Sequence, residues 1–454
     1  MHADAAPAQG RSMIRGSLIS LGVRLLDLPS RYGFHLLVAA ALGVVDTGRF
    51  YIVFSIMVAL AGFGRLGMDQ ALTRQLAMDM ASDRPAAVRP AIRRALLSVL
   101  LASVAVAALL AAGAAPFAHD VLKKSDLAVP LALGALAIIP QNLGAALAGA
   151  LAGLQRVGYS QMIYSWLWPA IFCIVAIPLS LAGLLTTTNA LVLTAASFAL
   201  TALAGAVLLK RALAAVPGAG QPAQAAPSLL RPGLSLFTLE LTKLLITSAP
   251  AIVLGIVATD RETGLFALTW RMALAINLLI SGVTGMAVPK FAALHARGNT
   301  QALEKNAAQA IGLVLCLALP AVACMLIFPT HLLALFGQGY GQGAATLRIL
   351  AVGQLAAACF TAMPEMLGMT AHMRALYRIN ACTLAVLLIG LAALAPLFGS
   401  IGAALATSLA LAVNGAAAAW LAHQLLGVAP LARLWREVLG RLRRRAARDG
   451  GKTS

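Results

Sequence analysis

Apolar residues in this chain run in long blocks rather than in the short amphipathic stripes of a soluble helix. A helix rises 1.5 Å per residue, so about 20 mostly apolar residues cross the hydrocarbon of a bilayer. On that measure the sequence predicts twelve spans, at about 17–43, 49–69, 95–117, 127–153, 161–184, 190–209, 234–258, 264–288, 308–328, 346–369, 379–397 and 401–425. One connection is longer than the rest. The segment "KRALAAVPGAGQPAQAAPSLLRPG", 210–233, is rich in Pro, Gly and Ala and separates the sixth span from the seventh. It reads as a linker. The expected organisation is an N-terminal six-helix lobe (1–209), a cytoplasmic linker (210–233), a C-terminal six-helix lobe (234–425) and a tail (426–454). The fold class is all-α integral membrane, with about twelve transmembrane helices in two lobes around a central cavity.

Composition supports the pattern. Hydrophobic residues make up 61% of the chain and charged residues 11%, against roughly 25% charged in a globular protein. Mean hydropathy is +0.88. The region after Arg11 and Arg15 is too long and too interrupted by charge for a signal peptide, and reads as a retained first helix. The net charge of +19 follows topology. With the N-terminus cytoplasmic, the inside segments hold 24 Lys and Arg, including Arg74, Arg84, Arg89, Arg156, Lys210, Lys290, Arg297, Arg374 and the tail. The outside loops hold Arg49, Lys123, Lys124 and Arg261. That bias places both termini inside and accounts for the basic balance without nucleic acid. The cysteines at 173, 316, 324, 359 and 382 fall in apolar runs without metal-ligand spacing. They read as small core residues, so neither disulfide nor metal is expected.

The two halves resemble each other. "DTGRFYIVFS" (46–55) aligns with "ETGLFALTWR" (262–271) at an offset of 216, matching Thr47, Gly48 and Phe50 to Thr263, Gly264 and Phe266. The same offset sets Arg74 opposite Lys290, Arg24 opposite Glu240 and Asp27 opposite Lys243. Six spans per half is an even number, so both repeats insert the same way up, with a pseudo-twofold axis along the membrane normal.

The first span carries Arg24, Asp27, Arg31 and His35. At 100° per residue they share an arc of about 80°, one stripe of the helix. Pro29 within that span deprives the Leu25 carbonyl of its donor, which points to a kinked, hydrated helix. A charge at mid-bilayer costs at least about 2.5–3.5 kcal/mol, so such groups face protein or water. Further in-span charges are Arg65 and Asp69, Glu240 and Lys243, Arg271, Arg348 and Glu365. Two readings remain open. Arg24–Asp27 and Glu240–Lys243 are self-neutralising pairs, or the surplus of Arg31, Arg271 and His35 lines a cavity for an anion. His35 by itself reads as a packing histidine, and Trp166 and Trp168 as residues of the interfacial belt.

In the tail, "LARLWREVLGRLRRR" (431–445) spaces Leu431, Leu434, Trp435, Val438, Leu439 and Leu442 at helical intervals among arginines. It reads as an amphipathic helix on the anionic inner leaflet. No Walker lysine loop, HExxH or nucleophile elbow is present, so neither catalysis nor a cofactor is expected.

Four stretches together carry a resemblance: "LGVVDTGRFY" after the first span, "GLQRVGYSQ" (153–161), "GLFALTWRMALAINLLISGVTGMAVPKFAALHARGN" (264–299) and "LALFGQGYGQGAATLRILAVGQL" (333–355). In order and spacing they resemble the O-antigen and exopolysaccharide flippases of the multidrug/oligosaccharidyl-lipid/polysaccharide (MOP) exporter superfamily. The resemblance implies rocker-switch transport of an undecaprenyl-diphosphate-linked oligosaccharide from inner to outer leaflet of the bacterial cytoplasmic membrane. It implies a cationic cavity, with Arg24, Arg31 and Arg271 on the diphosphate. Asp27, Glu240 and Lys243 would balance charge or take up coupling ions. His35, Arg65, Asp69 and Glu365 are further cavity candidates. Expected partners are the lipid-linked oligosaccharide, anionic lipids at the tail and polysaccharide assembly proteins. The alternatives are a lipid II flippase, a multidrug cation antiporter, and a membrane polymerase or ligase.

Overall fold

The computed structural model describes the backbone over residues 6–82, 84–216, 230–370, 372–437 and 439–440. Side chains are described from residue 26 onward, except at 230–232, 235, 236, 238, 239, 278, 279, 286 and 289. Every regular element in these residues is helical. The first helices are α1 (Ala6–Arg65), α2 (Met68–Ala81), α3 (Val88–Pro116), α4 (Ala128–Gly153) and α5 (Val157–Gln161). Then come α6 (Leu167–Leu181), α7 (Thr187–Ala214), α8 (Leu230–Val257), α9 (Asp260–Ala296) and α10 (Thr300–Ile327). The last are α11 (Pro329–Ala334), α12 (Ala344–Phe360), α13 (Ala362–Met369) and α14 (Met373–Leu426).

Ten helical stretches of the described residues are long and apolar enough to cross a membrane. Two of them, Leu26–Ala81 and Met373–Leu426, run for 56 and 54 residues, more than twice what one crossing needs. Each is a hairpin. Within α1 the backbone leaves helical geometry at Gly43 (φ 70°), and within α14 at Gly399 (φ 54°). Positive φ costs glycine nothing because no Cβ meets the following carbonyl. About the first turn His35 Nδ1 meets the Tyr51 hydroxyl at 2.6 Å. About the second, Asn414 Nδ2 donates to Thr383 Oγ1 at 2.9 Å. With each hairpin crossing twice, the described residues make twelve passes, and the turns fall where the apolar pattern breaks. Backbone through Pro29 stays helical, and the interruption of α1 lies at Gly43 instead.

Polar residues inside the spans are held by the helices themselves. Thr194, Thr269, Thr383 and Thr407 donate to carbonyls four residues back at 2.7–2.8 Å. This satisfies a hydroxyl where water is absent. Leu181, Leu109, Leu397 and Ile389 are 70–85% exposed. On a water-soluble protein such a surface would aggregate, whereas here it is the face turned to lipid.

The chain divides into two compact units, Met1–Gly264 and Leu265–Ser454. The 210–233 connection, of which 217–229 lie outside the described residues, falls within the first unit because α8 packs along α1. In that unit α4 is the hub, against α1, α2, α3 and α7. Leu72, Leu76, Val99, Ala146 and Leu151 form its core. In the second unit α12 packs on α10 and α14, and Ser408 Oγ donates to the Ile349 carbonyl at 2.9 Å. The tail enters the same unit. Residues 430–437 are helical, Val428 is buried, and Arg433 meets Glu304 of α10 at 3.5 Å. The Ala429 amide also donates to Glu304, at 3.2 Å. Trp435 and Leu439 stay exposed, as an amphipathic helix requires. Residues 441–454, with most of the tail arginines, lie outside the described residues.

The internal repeat has a structural counterpart. The Gly43 turn and Thr259, between α8 and α9, are 216 residues apart. Gly48 and Gly264 pack backbone to backbone. A Cβ on Gly48 would overlap the Asp260 carbonyl and the Gly264 nitrogen, and one on Gly264 would overlap the Val44 carbonyl and the Gly48 nitrogen. Val44 with Asp260 and Gly48 with Gly264 are both pairs at offset 216. Reciprocal contact of equivalent residues is the mark of a twofold axis. A local one passes between these glycines.

Candidate functional site

Charged residues on and around α1 fall into three groups. The first is the stripe before the Gly43 turn. Arg31 Nε donates to Asp27 Oδ1 at 3.2 Å, a pair one helical turn apart with the acid N-terminal, the favourable order on a helix. Asp27 is mostly covered, at 16% side-chain exposure, while Arg31 keeps 42%. The pair therefore presents a guanidinium rather than a carboxylate. Arg24 lies on the same helix, but its side chain is outside the described residues. Ser30 Oγ closes onto the Leu26 carbonyl at 2.8 Å. His35 is buried. Its neighbour Phe34 packs in a cluster with Phe50, Phe54, Trp168 and Phe172 at ring separations of 4.7–6.0 Å. Trp168 also packs on Phe198 at 4.7 Å. Trp168 is thus a partly buried member of this aromatic cluster.

The second group closes the far end of α1. Arg65 Nη1 lies 3.8 Å from Asp69 of α2 and 3.8 Å from Glu240 of α8. Tyr164 is a near neighbour of the guanidinium. Tyr164 stands on a π-helical turn, Met162–Trp166. Between Arg65 and Asp69 the chain turns through Leu66 (φ 54°) and Gly67 (φ 65°). A leucine held at positive φ is strained. Both carboxylate distances exceed hydrogen-bond range. Among the described residues Arg65 Nε and Asp69 Oδ1 are buried without partners. Glu240 thus turns to a residue 175 positions away in sequence (240 − 65), and Lys243 is exposed.

The third group surrounds the Gly43 turn. Arg49 spends all three nitrogens on different carboxylates: Nε on Asp260 at 2.9 Å, Nη2 on Asp126 at 3.1 Å, Nη1 on Asp46 at 3.3 Å. Lys124 Nζ meets Asp260 at 2.7 Å and takes the Gly255 carbonyl at the end of α8 at 2.9 Å. No residue of this group stood out in the sequence except as a loop charge.

In the second unit Arg271 is partly buried on α9, and Glu365 is exposed in the first turn of α13. Among the described residues no cluster of His, Cys, Asp and Glu could hold a metal ion.

Solved structures with this architecture are membrane transporters. An inward-facing multidrug resistance MATE family transporter of the MOP superfamily superposes with a TM-score of 0.68 at 15% identity, over 90% of this chain and 98% of its own. The lipid II flippase MurJ, in an inward closed conformation, gives 0.66 at 12% identity, over 90% and 87%. A MOP superfamily transporter from Pyrococcus furiosus, described as having a binding pocket of reverse polarity, gives 0.61 at 17%, over 91% and 94%. The chain shares the multi-pass, all-helical fold of these transporters. The profile of the family described as "Polysaccharide biosynthesis protein" matches residues 13–295, and the chain belongs to that family. No curated protein sequence matches it.

Proposed function

We propose that this protein moves an undecaprenyl-diphosphate-linked oligosaccharide from the inner to the outer leaflet of the bacterial cytoplasmic membrane by alternating access. Family and fold support export in polysaccharide biosynthesis. The observation that carries the substrate class is Arg31. Its carboxylate partner is covered while its own guanidinium remains 42% exposed, within an apolar helix. An arginine in that setting has a planar fork of donors to offer, which two phosphate oxygens match. Arg24 on the same helix and Arg271 on α9 add positive charge, and Asp27 sets the orientation of Arg31. Glu240, together with Arg65 and Asp69, stands apart from this stripe and serves charge balance. Both termini are cytoplasmic, and the tail helix, anchored through Glu304, turns Trp435 and Leu439 to anionic inner-leaflet lipid. Polysaccharide assembly proteins are its functional neighbours.

Arg31→Glu is expected to abolish surface polysaccharide while leaving membrane abundance unchanged. Lipid-linked glycan then accumulates in the inner leaflet, and its sugars identify the cargo. Normal surface polysaccharide in that variant would refute the assignment.

A further inference from the structure

The Gly48–Gly264 contact lies on a local twofold axis; Asp46 and Glu262 keep that symmetry, but the Arg49–Asp260 pair over it does not. The repeat partner of Arg49 is Leu265, and that of Asp260 is Val44. The Arg49–Asp260 pair at the centre of the ion lattice therefore has no charged repeat counterpart. The lattice joins three segments that are remote in sequence: the start of the second pass of α1, the 124–126 connection between α3 and α4, and the α8–α9 junction. Asp260 is its centre, 14% exposed and held by both cations. Beneath it Thr47 and Thr263 are fully buried. The glycines bring backbones together without interlocking side chains, so the contact can part without repacking a core. The lattice supplies the directional hold.

We propose that this contact and its ion lattice form a gate on the side of the membrane opposite the termini. Asp260 is the latch, and the gate is shut in this structure. The inference deepens the flippase reading by naming where release is controlled, and it rests on that reading for its purpose. The test does not need the cargo. Thr263→Cys, buried when the gate is shut, is probed in right-side-out membrane vesicles with a membrane-impermeant maleimide, and the parent chain reports background labelling of its own cysteines.

Asp260→Ala is expected to raise labelling of Thr263→Cys about tenfold, as loss of charge-assisted bonds worth a factor of this order requires. Arg49→Lys keeps the charge but loses the three-way fork, and raises labelling too. Tethering Arg49→Cys to Asp260→Cys with a thiol cross-linker stops export. Labelling unchanged by Asp260→Ala, or export undiminished by the tether in a monodisperse protein, would overturn the gate. If labelling responds as expected but Arg31→Glu still exports polysaccharide, the gate stands and the cargo assignment falls.

Discussion

The second pass of α1 runs antiparallel to α8 and is tied to it at both ends, in opposite ways. Near Gly48 the ties are short, multiple and half open to solvent: 2.7–3.3 Å, with Arg49 at 37% and Asp126 at 52% exposure. Near Arg65 they are long and buried, at 3.8 Å, with Arg65 at 8% and Asp69 at 9%. Between the ends the seam is apolar, with Phe63 against Phe237 at 5.5 Å. Exposed charges gain little from pairing because water already solvates them, so a durable tie there needs several partners. Buried charges cannot leave their partner without a large desolvation cost, so even a loose tie holds. The proposed gate lies at the exposed end, and the buried end is the tie that would stay closed.

The contrast can be broken at the buried end first. Arg65→Ala strands Asp69 and Glu240 in a buried site without their cation, and should cost about 3–5 kcal/mol. The expected outcome is lower membrane abundance and a lower unfolding temperature in detergent. Pairing it with Glu240→Gln and Asp69→Asn should recover most of the loss. Stability unaffected by Arg65→Ala would mean that the buried end is not such a tie. At the exposed end the effects shrink. Asp126→Ala removes one of three partners of Arg49 and should cost at most about 1 kcal/mol. That loss should fade in high salt as screening already weakens the pair. A salt-independent loss there would show the lattice to be more deeply desolvated than its exposure indicates.

Much of the architecture is legible along the chain, because the bilayer imposes a length on every span. The two hairpin turns interrupt the apolar pattern at Gly43 and Gly399, and the offset of 216 that pairs Gly48 with Gly264 in sequence also pairs them in space. Pairing of charges is less legible. Neighbouring opposite charges suggest Glu240–Lys243, yet Glu240 meets Arg65; Asp27 bonds Arg31, while the side chain of Arg24 lies outside the described residues. For Asp27 the reason is local: the i,i+4 spacing with the acid first aligns the groups. For Glu240 it is tertiary, since α8 lies along α1, and no sequence spacing encodes a partner 175 residues away (240 − 65). Tyr164 was hidden in the same way, on a π-helical turn that has no compositional signature. Trp168 reads as a belt residue by type, and its packing on Phe34 and Phe198 is a tertiary contact that the sequence does not encode.

The proposed role of Arg31 is tested most directly by the lipid that the purified protein retains. Native mass spectrometry of the wild-type chain with added undecaprenyl diphosphate should show a one-to-one complex. Arg31→Glu should lose it, while Arg65→Lys, altered at the far end of α1, should keep it. Equal retention by wild type and Arg31→Glu would contradict a headgroup site on the first helix.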